Sequence, residues 1–176
     1  AVLSENGNVI SAVQLYDNKT HSVKMLPAVE YILAAAETKP DELSAVAVTN
    51  GPGSYTGLRI GVTTAKTLAY TMNIPLFGIN TLEAFASSCD FAGEQGNCVV
   101  CPMIDARNAR VYGAIYKNGK ILQETVAMEC SALCDIINEK INDSGERVIF
   151  TGDGAFANKQ IIIEKIGDKC QFVPTE

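Results

Sequence analysis

The chain has 176 residues, 47% of them hydrophobic and 19% charged, with a formal net charge of −6, enough to bury a real core as one domain or as two small lobes. That acidic balance argues against a broad nucleic-acid face, whose affinity is mostly cation neutralisation of phosphates, so any RNA is expected to be held by something else. No apolar run is long enough to span a bilayer and no basic segment followed by an apolar signal core opens the sequence, so a cytoplasmic protein without a membrane role is expected.

Ala1 to Leu15 reads as two short strands about Glu5-Asn6-Gly7-Asn8, because asparagine and glycine tolerate positive φ. After Asp17-Asn18 comes a helix of about four turns. Its apolar positions Met25, Leu26, Val29, Ile32, Leu33 and Ala36 recur with a 3.6-residue period, and Lys39-Pro40 ends it. Pro27 removes the hydrogen bond to the Val23 carbonyl, which predicts either a kink or a helix that begins late. The single histidine, His21, stands beside Ser22 ahead of this helix and reads as a cap or surface residue rather than a catalytic base.

Ala45 to Thr49 is small and β-branched and leads into a loop with Gly51, Gly53 and Gly57, then a helix from about Gly57 to Met72 closed by Asn73 and Pro75. The first N–H groups of a helix launched from such a turn lack partners, so the turn either attracts an anion or packs tightly. GPGSYTG has no Gly-Lys-Ser/Thr, places Ser54 one residue early for a nucleophile elbow, and misses the dinucleotide glycine spacing by one. A structural turn with Ser54 or Thr56 as cap is therefore favoured over anion binding. Along the helix, Leu58, Val62, Ala65 and Ala69 form one stripe and Gly57, Gly61, Thr64 and Leu68 an adjacent one, broader than one core contact requires. Gly57 and Gly61 each cost roughly 1 kcal/mol relative to alanine in a helix. A close helix–helix contact, within the fold or with a partner chain, is expected to offset that.

Leu76 to Ile79 reads as a strand and Thr81 to Ser88 as a helix. The polar, glycine-containing stretch Asp90 to Asn97 is the expected boundary between lobes 1–90 and 91–176. Beyond it come the apolar strand Cys98 to Asp105 and a hairpin of Arg110 to Tyr116 with Ile121 to Ala127 about Asn118-Gly119. A helix with Leu133, Ile136, Ile137 and Ile141, the strand Val148 to Thr151, the loop Gly152-Asp153-Gly154, a helix through Ile166 and a strand start at Cys170 to Val173 follow. Both halves share the order hairpin, helix, strand, glycine loop, helix; the second adds an opening strand. The expected fold is a duplicated α/β, actin-like and sugar-kinase-like (ribonuclease H-like) two-lobe architecture, trimmed at its first strand and at its C-terminal end.

Chemistry-bearing residues are sparse. Asp105, Arg107 and Arg110 in MIDARNARVY can hold a phosphate-bearing ligand or magnesium, although an ion-pair network closing the hairpin is the favoured reading. Gly152-Asp153-Gly154 is either a nucleotide contact or a plain strand-to-helix turn, so Asp105, Gly152 and Gly154 are weak nucleotide candidates. Cys98 and Cys101 form a lone CxxC whose side chains point to opposite faces of a strand, and Cys130 and Cys134 are helix-spaced with no second pair. Buried thiols are the expectation for them.

NGPGSYTGLRIGVTTAKTLAY, PLFGINTLEAFA, MIDARNARVY and TGDGA, together with HSVKMLP, resemble the bacterial TsaB (YeaZ) proteins of tRNA threonylcarbamoyladenosine synthesis. The resemblance covers nearly the whole chain, and the GPGSYTGLR block is specific to the family. It implies an actin-like fold, the paralogous catalytic subunit TsaD as partner and the ATPase TsaE joining the assembly. ATP and metal are then expected in those partners, no cofactor on this chain, and tRNA only through the complex. The family's opening strand, with its Asp-Thr-Ser segment, and the last part of its C-terminal region have no counterpart here.

In the catalytic paralogue two histidines four apart on the helix after the next strand bind the metal. The matching stretch Gly78-Ile79-Asn80-Thr81-Leu82-Glu83-Ala84-Phe85 offers Thr81 and Phe85, and neither replaces a neutral imidazole. The resemblance thus implies a non-catalytic scaffold that binds and stabilises TsaD, while the complex transfers a threonylcarbamoyl group to N6 of adenosine 37 in ANN-decoding tRNA. Its interface is expected on His21 to Glu37 and Gly57 to Tyr70, with Met25, Val29, Ile32, Gly57, Leu58, Gly61, Val62, Ala65 and Ala69 in contact. Without TsaD the same surface is expected to form a two-fold homodimer. The rival reading is a stand-alone ATP-dependent phosphotransferase or glycoprotease-like hydrolase of this fold, with Asp105 as its one candidate acid.

Overall fold

The computed structural model describes residues 1–15, 21–90, 98–141 and 146–174. Val2–Glu5 (β1) and Asn8–Ala12 (β2) form the expected antiparallel hairpin, with Asn6 and Gly7 left-handed at its tip. His21–Ala35 (α1) follows, and Pro27 lies inside it. The helix therefore does not begin late. Pro27 and Val23 are both exposed, so water can take the carbonyl that the proline ring leaves without a donor. Val46–Gly51 (β3) leads through the glycine loop into Tyr55–Met72 (α2) and on to Leu76–Asn80 (β4). The α2 helix begins two residues earlier than its sequence suggests because Ser54 caps it, accepting from the Gly57 N–H, and it ends at Asn73 in the left-handed conformation.

Thr81–Asp90 (α3) opens the next unit, its start capped by Asn80, whose Oδ1 accepts from the Leu82 and Glu83 N–H groups. Cys98–Asp105 (β5), Arg110–Lys117 (β6) and Lys120–Glu129 (β7) come next, then Cys130–Lys140 (α4), Arg147–Thr151 (β8), Asp153–Ala157 (α5), Lys159–Ile166 (α6) and Cys170–Val173 (β9). They build one five-stranded sheet in the order β7-β6-β5-β8-β9. β5 runs antiparallel to β6 and parallel to β8, and its residues 99–103 are all buried. Its continuous apolar run is what a strand covered on both faces requires. Val99, Cys101 and Met103 face a core with Leu133, Ile137, Phe150 and Ile162, while Val100 faces a second core with Ala114, Tyr116 and Ile149. Pro102, which has no N–H, sits where the pairing with β6 skips from Val100 to Met103.

The chain divides into two compact units, 1–79 and 80–176, rather than at the expected 1–90 and 91–176. The Asp90 to Asn97 stretch proposed as boundary lies, for residues 91–97, outside the described residues. α3 belongs to the second unit because Leu82, Ala86 and Cys89 pack against Val100, Ala114, Tyr116 and Ile149. The glycine loop of this unit is also shorter than expected. Gly152 alone precedes α5, and the long helix expected after it breaks at Asn158, whose side chain donates to the Gly154 carbonyl at 2.9 Å.

Gly152 and Gly154 press directly on β5. A Cβ on Gly152 would run into the Met103 carbonyl oxygen, and one on Gly154 would lie 2.6 Å from the Ile104 carbonyl carbon and 2.8 Å from the Asp105 nitrogen. The backbone of a central strand has little freedom to give way. Gly154→Ala should cost about 2–3 kcal/mol in urea unfolding. Gly119→Ala, in open space with only a positive φ to oppose it, should cost about 1 kcal/mol.

Candidate functional site

In the first unit, α1 packs on the β1–β2 hairpin and on α2, and α2 packs on β3. Of the residues expected at an interface, Ile32, Ala65 and Ala69 are interior, with 4%, 6% and 5% of their surface exposed. They are packing residues of the unit. Met25, Val29, Gly57, Leu58, Gly61 and Val62 are half-buried. Leu58 folds back over the glycine loop, within reach of Gly51 and Gly53, and Gly61 faces Val48 of β3. A Cβ on Gly61 would meet Val48 at 3.8 Å and one on Gly57 would meet Ser54 at 3.6 Å, both ordinary contacts. Neither glycine is there to admit a close backbone within the unit.

The outward side of α2 carries what the apolar stripes did not reveal. Tyr55 and Tyr70 are 75% and 89% exposed, at opposite ends of a helical row with Arg59, Val62 and Lys66. Arg59 lies over the Tyr55 ring, 5.5 Å from its centroid. A shallow open hollow beside Tyr70 is lined by Lys66, Asn73, Ile74 and Pro75. On α1, Val23, Leu26 and Tyr31 are exposed. Exposed tyrosines and large aliphatics on two packed helices suit a protein-binding surface, since tyrosine buries a large ring and keeps a polar tip. Sequence reasoning followed periodic apolar positions, which find the buried side of a helix. The signal for the outer face was the aromatic spacing from Tyr55 to Tyr70 on a row that also carries Arg59 and Lys66.

The second unit brings Asp105 and Asp153 together at the C-terminal ends of β5 and β8. The Asp105 N–H donates to Asp153 Oδ1 at 3.1 Å, and the Asp105 carboxylate accepts from the Arg107 N–H at 2.9 Å. Arg107, Asn108 and Ala109 are all left-handed. The turn into β6 is thus closed by an aspartate capping the backbone, with no ion pair from Arg107 or Arg110 to Asp105 among the described residues, and the expected network is corrected accordingly. Arg110 instead reaches the Ala127 carbonyl at 3.5 Å. Gly152 and Gly154, the other nucleotide candidates, are occupied by their packing against β5.

Thr81 and Phe85 lie one turn apart on α3, both half-buried, and supply a hydroxyl and a phenyl ring. The cysteines are free thiols, buried or partly so: Cys101, Cys130 and Cys134 are fully buried together, and Cys98 packs against the second core while Cys101 lies in the first, as opposite faces of a strand should. Hydrogen bonding between Cys134 and Cys130 lowers the pKa of Cys130 and raises that of Cys134, while burial pushes the Cys101 thiol up. Among the described residues no helix is long and apolar enough to cross a membrane.

Two repeats of hairpin, helix, strand, helix, strand define a duplicated actin-like and sugar-kinase-like protein. YeaZ from Pseudomonas aeruginosa has this fold, with a TM-score of 0.71 at 20% identity, covering 99% of this chain and 78% of that one. The ROK hexokinase of Thermus thermophilus superposes at a TM-score of 0.51 and 12% identity, over 98% of this chain and 86% of that one. Residues 12–173 match the family model described as TsaD, tRNA N6-adenosine threonylcarbamoyltransferase. The Bacillus subtilis tRNA threonylcarbamoyladenosine biosynthesis protein TsaB is 37% identical over 171 residues, 96% of this chain and 72% of the relative. The chain belongs to the TsaB family, a branch of the larger group that this model describes.

Interior and outward positions of α2 should separate cleanly in stability. Tyr55→Ala and Tyr70→Ala should each change the urea-unfolding free energy by less than about 0.5 kcal/mol. Ala65→Leu, forced into a filled interior, should cost about 1–3 kcal/mol.

Proposed function

We propose that this protein is a non-catalytic subunit of the assembly that forms N6-threonylcarbamoyladenosine at position 37 of ANN-decoding tRNAs. It binds and stabilises the catalytic paralogue TsaD through the outer faces of α1 and α2. The observation that carries the reading is the row of exposed tyrosines and aliphatics on these two helices in a chain of the TsaB family. Paralogues built on one domain have related helix layers, so a face of this kind suits a pseudo-symmetric pairing.

The non-catalytic role is supported by Thr81 and Phe85, which stand where the catalytic paralogue carries its metal-binding histidines. ATP and metal are then held by the partner subunits TsaD and TsaE. The net charge of −6 fits a subunit that meets tRNA through the complex, in the cytoplasm, rather than by a basic face of its own. Alone, the same face pairs two copies of this chain.

Substitution should be made on the outward row, because Leu58 and Gly61 contribute to internal packing. A Tyr55→Asp/Tyr70→Asp variant should keep its melting temperature within about 2 °C of the parent. Its affinity for TsaD in size-exclusion and titration experiments should fall roughly tenfold or more. A folded double variant that binds TsaD as tightly as the parent contradicts the assigned face.

A further inference from the structure

The outward row of α2 reads nearly the same from either end. Tyr55, Arg59, Val62, Lys66 and Tyr70 follow one another along the helix, with a tyrosine at each end, a cation inside each tyrosine and Val62 between them. Both tyrosines and both cations are exposed, and Val62 is half-buried. At a rise of 1.5 Å per residue the cations stand about 10 Å apart along the axis and the tyrosines about 22 Å apart.

The charge of this row is one-sided. α2 contains no aspartate or glutamate, in a chain whose net charge is −6. α1 beside it adds Lys24 and Glu30, one of each sign. Among the described residues neither Arg59 nor Lys66 is engaged in an ion pair. Arg59 lies over the Tyr55 ring, with its Nη1 3.5 Å from the Tyr55 hydroxyl, so its guanidinium is held in place at one end of the row. Lys66 borders the hollow beside Tyr70 at the other.

Such a row is a poor match for itself. A two-fold pairing sets one surface against an identical one. With two copies of α2 antiparallel about the middle of the row, Arg59 meets the second copy's Lys66 and Tyr55 meets its Tyr70. With the helices parallel, each cation meets its own counterpart. Like charges face each other twice in either arrangement, which opposes association.

We propose that α2 selects its partner by charge: the row takes a helical protein face that carries two carboxylates about two turns apart, one for Arg59 and one for Lys66, and holds a second copy of this chain only weakly. Carboxylates seven residues apart on one side of a helix have that spacing. The tyrosines and aliphatics supply contact area to either partner, and the cations decide between them. This inference rests on the docking role proposed for α1 and α2 and gives the chemistry of the surface that they meet.

The test uses the full chain with Lys66→Glu and with Arg59→Glu/Lys66→Glu, reading self-association by sedimentation and TsaD affinity by titration, at low and at high salt. In the antiparallel pairing Lys66→Glu turns both cation–cation meetings into ion pairs. Self-association should then tighten roughly threefold or more while TsaD affinity falls roughly tenfold, a pair of opposite shifts that loss of helix structure does not produce. The double reversal sets carboxylate against carboxylate, so self-association should return to the parent's level while TsaD affinity stays reduced. Raising the salt should weaken the parent's binding to TsaD and strengthen its self-association. A Lys66→Glu chain that self-associates no more tightly than the parent overturns the proposal, and so does TsaD binding that neither variant weakens. In that last case the Tyr55→Asp/Tyr70→Asp chain separates the two levels: binding lost there keeps the docking face and removes only its selection by charge, whereas binding retained removes the face as well.

Discussion

The structure depends on β5. A strand buried on both faces, with β6 on one edge and β8 on the other, satisfies its backbone groups through two ladders and contributes alternate side chains to two cores. Everything else in the second unit is placed by it. Gly152 and Gly154 are glycines because α5 begins against its backbone, and Asp105 caps the turn that follows it.

The outer surfaces of α1 and α2 are best understood against that background. Their inner sides are committed to the unit through Ile32, Leu33, Ala65 and Ala69. What remains outward includes, beside the charged Glu30, Arg59 and Lys66, the large side chains of Tyr55, Tyr70, Val23, Leu26 and Tyr31. The docking role proposed for these helices rests on this exposure in a chain of the TsaB family. The strand-end site in the second unit offers less. Asp105 and Asp153 are joined through the backbone, and the glycines beside them are explained by close packing.

Much of the fold was legible in the sequence. The Asn-Gly turns, the 3.6-residue period of α1, the glycine loop and the apolar run of β5 each specify an element by local chemistry, and the repeated order of elements pointed to a duplicated architecture. The division between units was not, because the polar stretch after Asp90 is a composition signal, whereas α3 is assigned by tertiary contacts of Leu82 and Ala86. The site was only half legible. Periodicity picked out Ile32, Ala65 and Ala69 because they are apolar and regularly spaced, which is the signature of a core as much as of an interface. Tyr55 and Tyr70 are conspicuous only once exposure is known. The Asp105 turn was misjudged because adjacent Asp and Arg suggest an ion pair, while a run of left-handed residues closes the turn through the backbone instead.

The central claim is that this chain meets its catalytic paralogue through the outward row of α2, and side-chain footprinting with hydroxyl radicals tests it directly. In the chain diluted until it is monomeric, Tyr55 and Tyr70 should lose most of their oxidation when TsaD is added, while Tyr112, a partly exposed tyrosine of β6 in the second unit, keeps its own. Protection of Tyr112 with Tyr55 and Tyr70 unchanged would contradict the account.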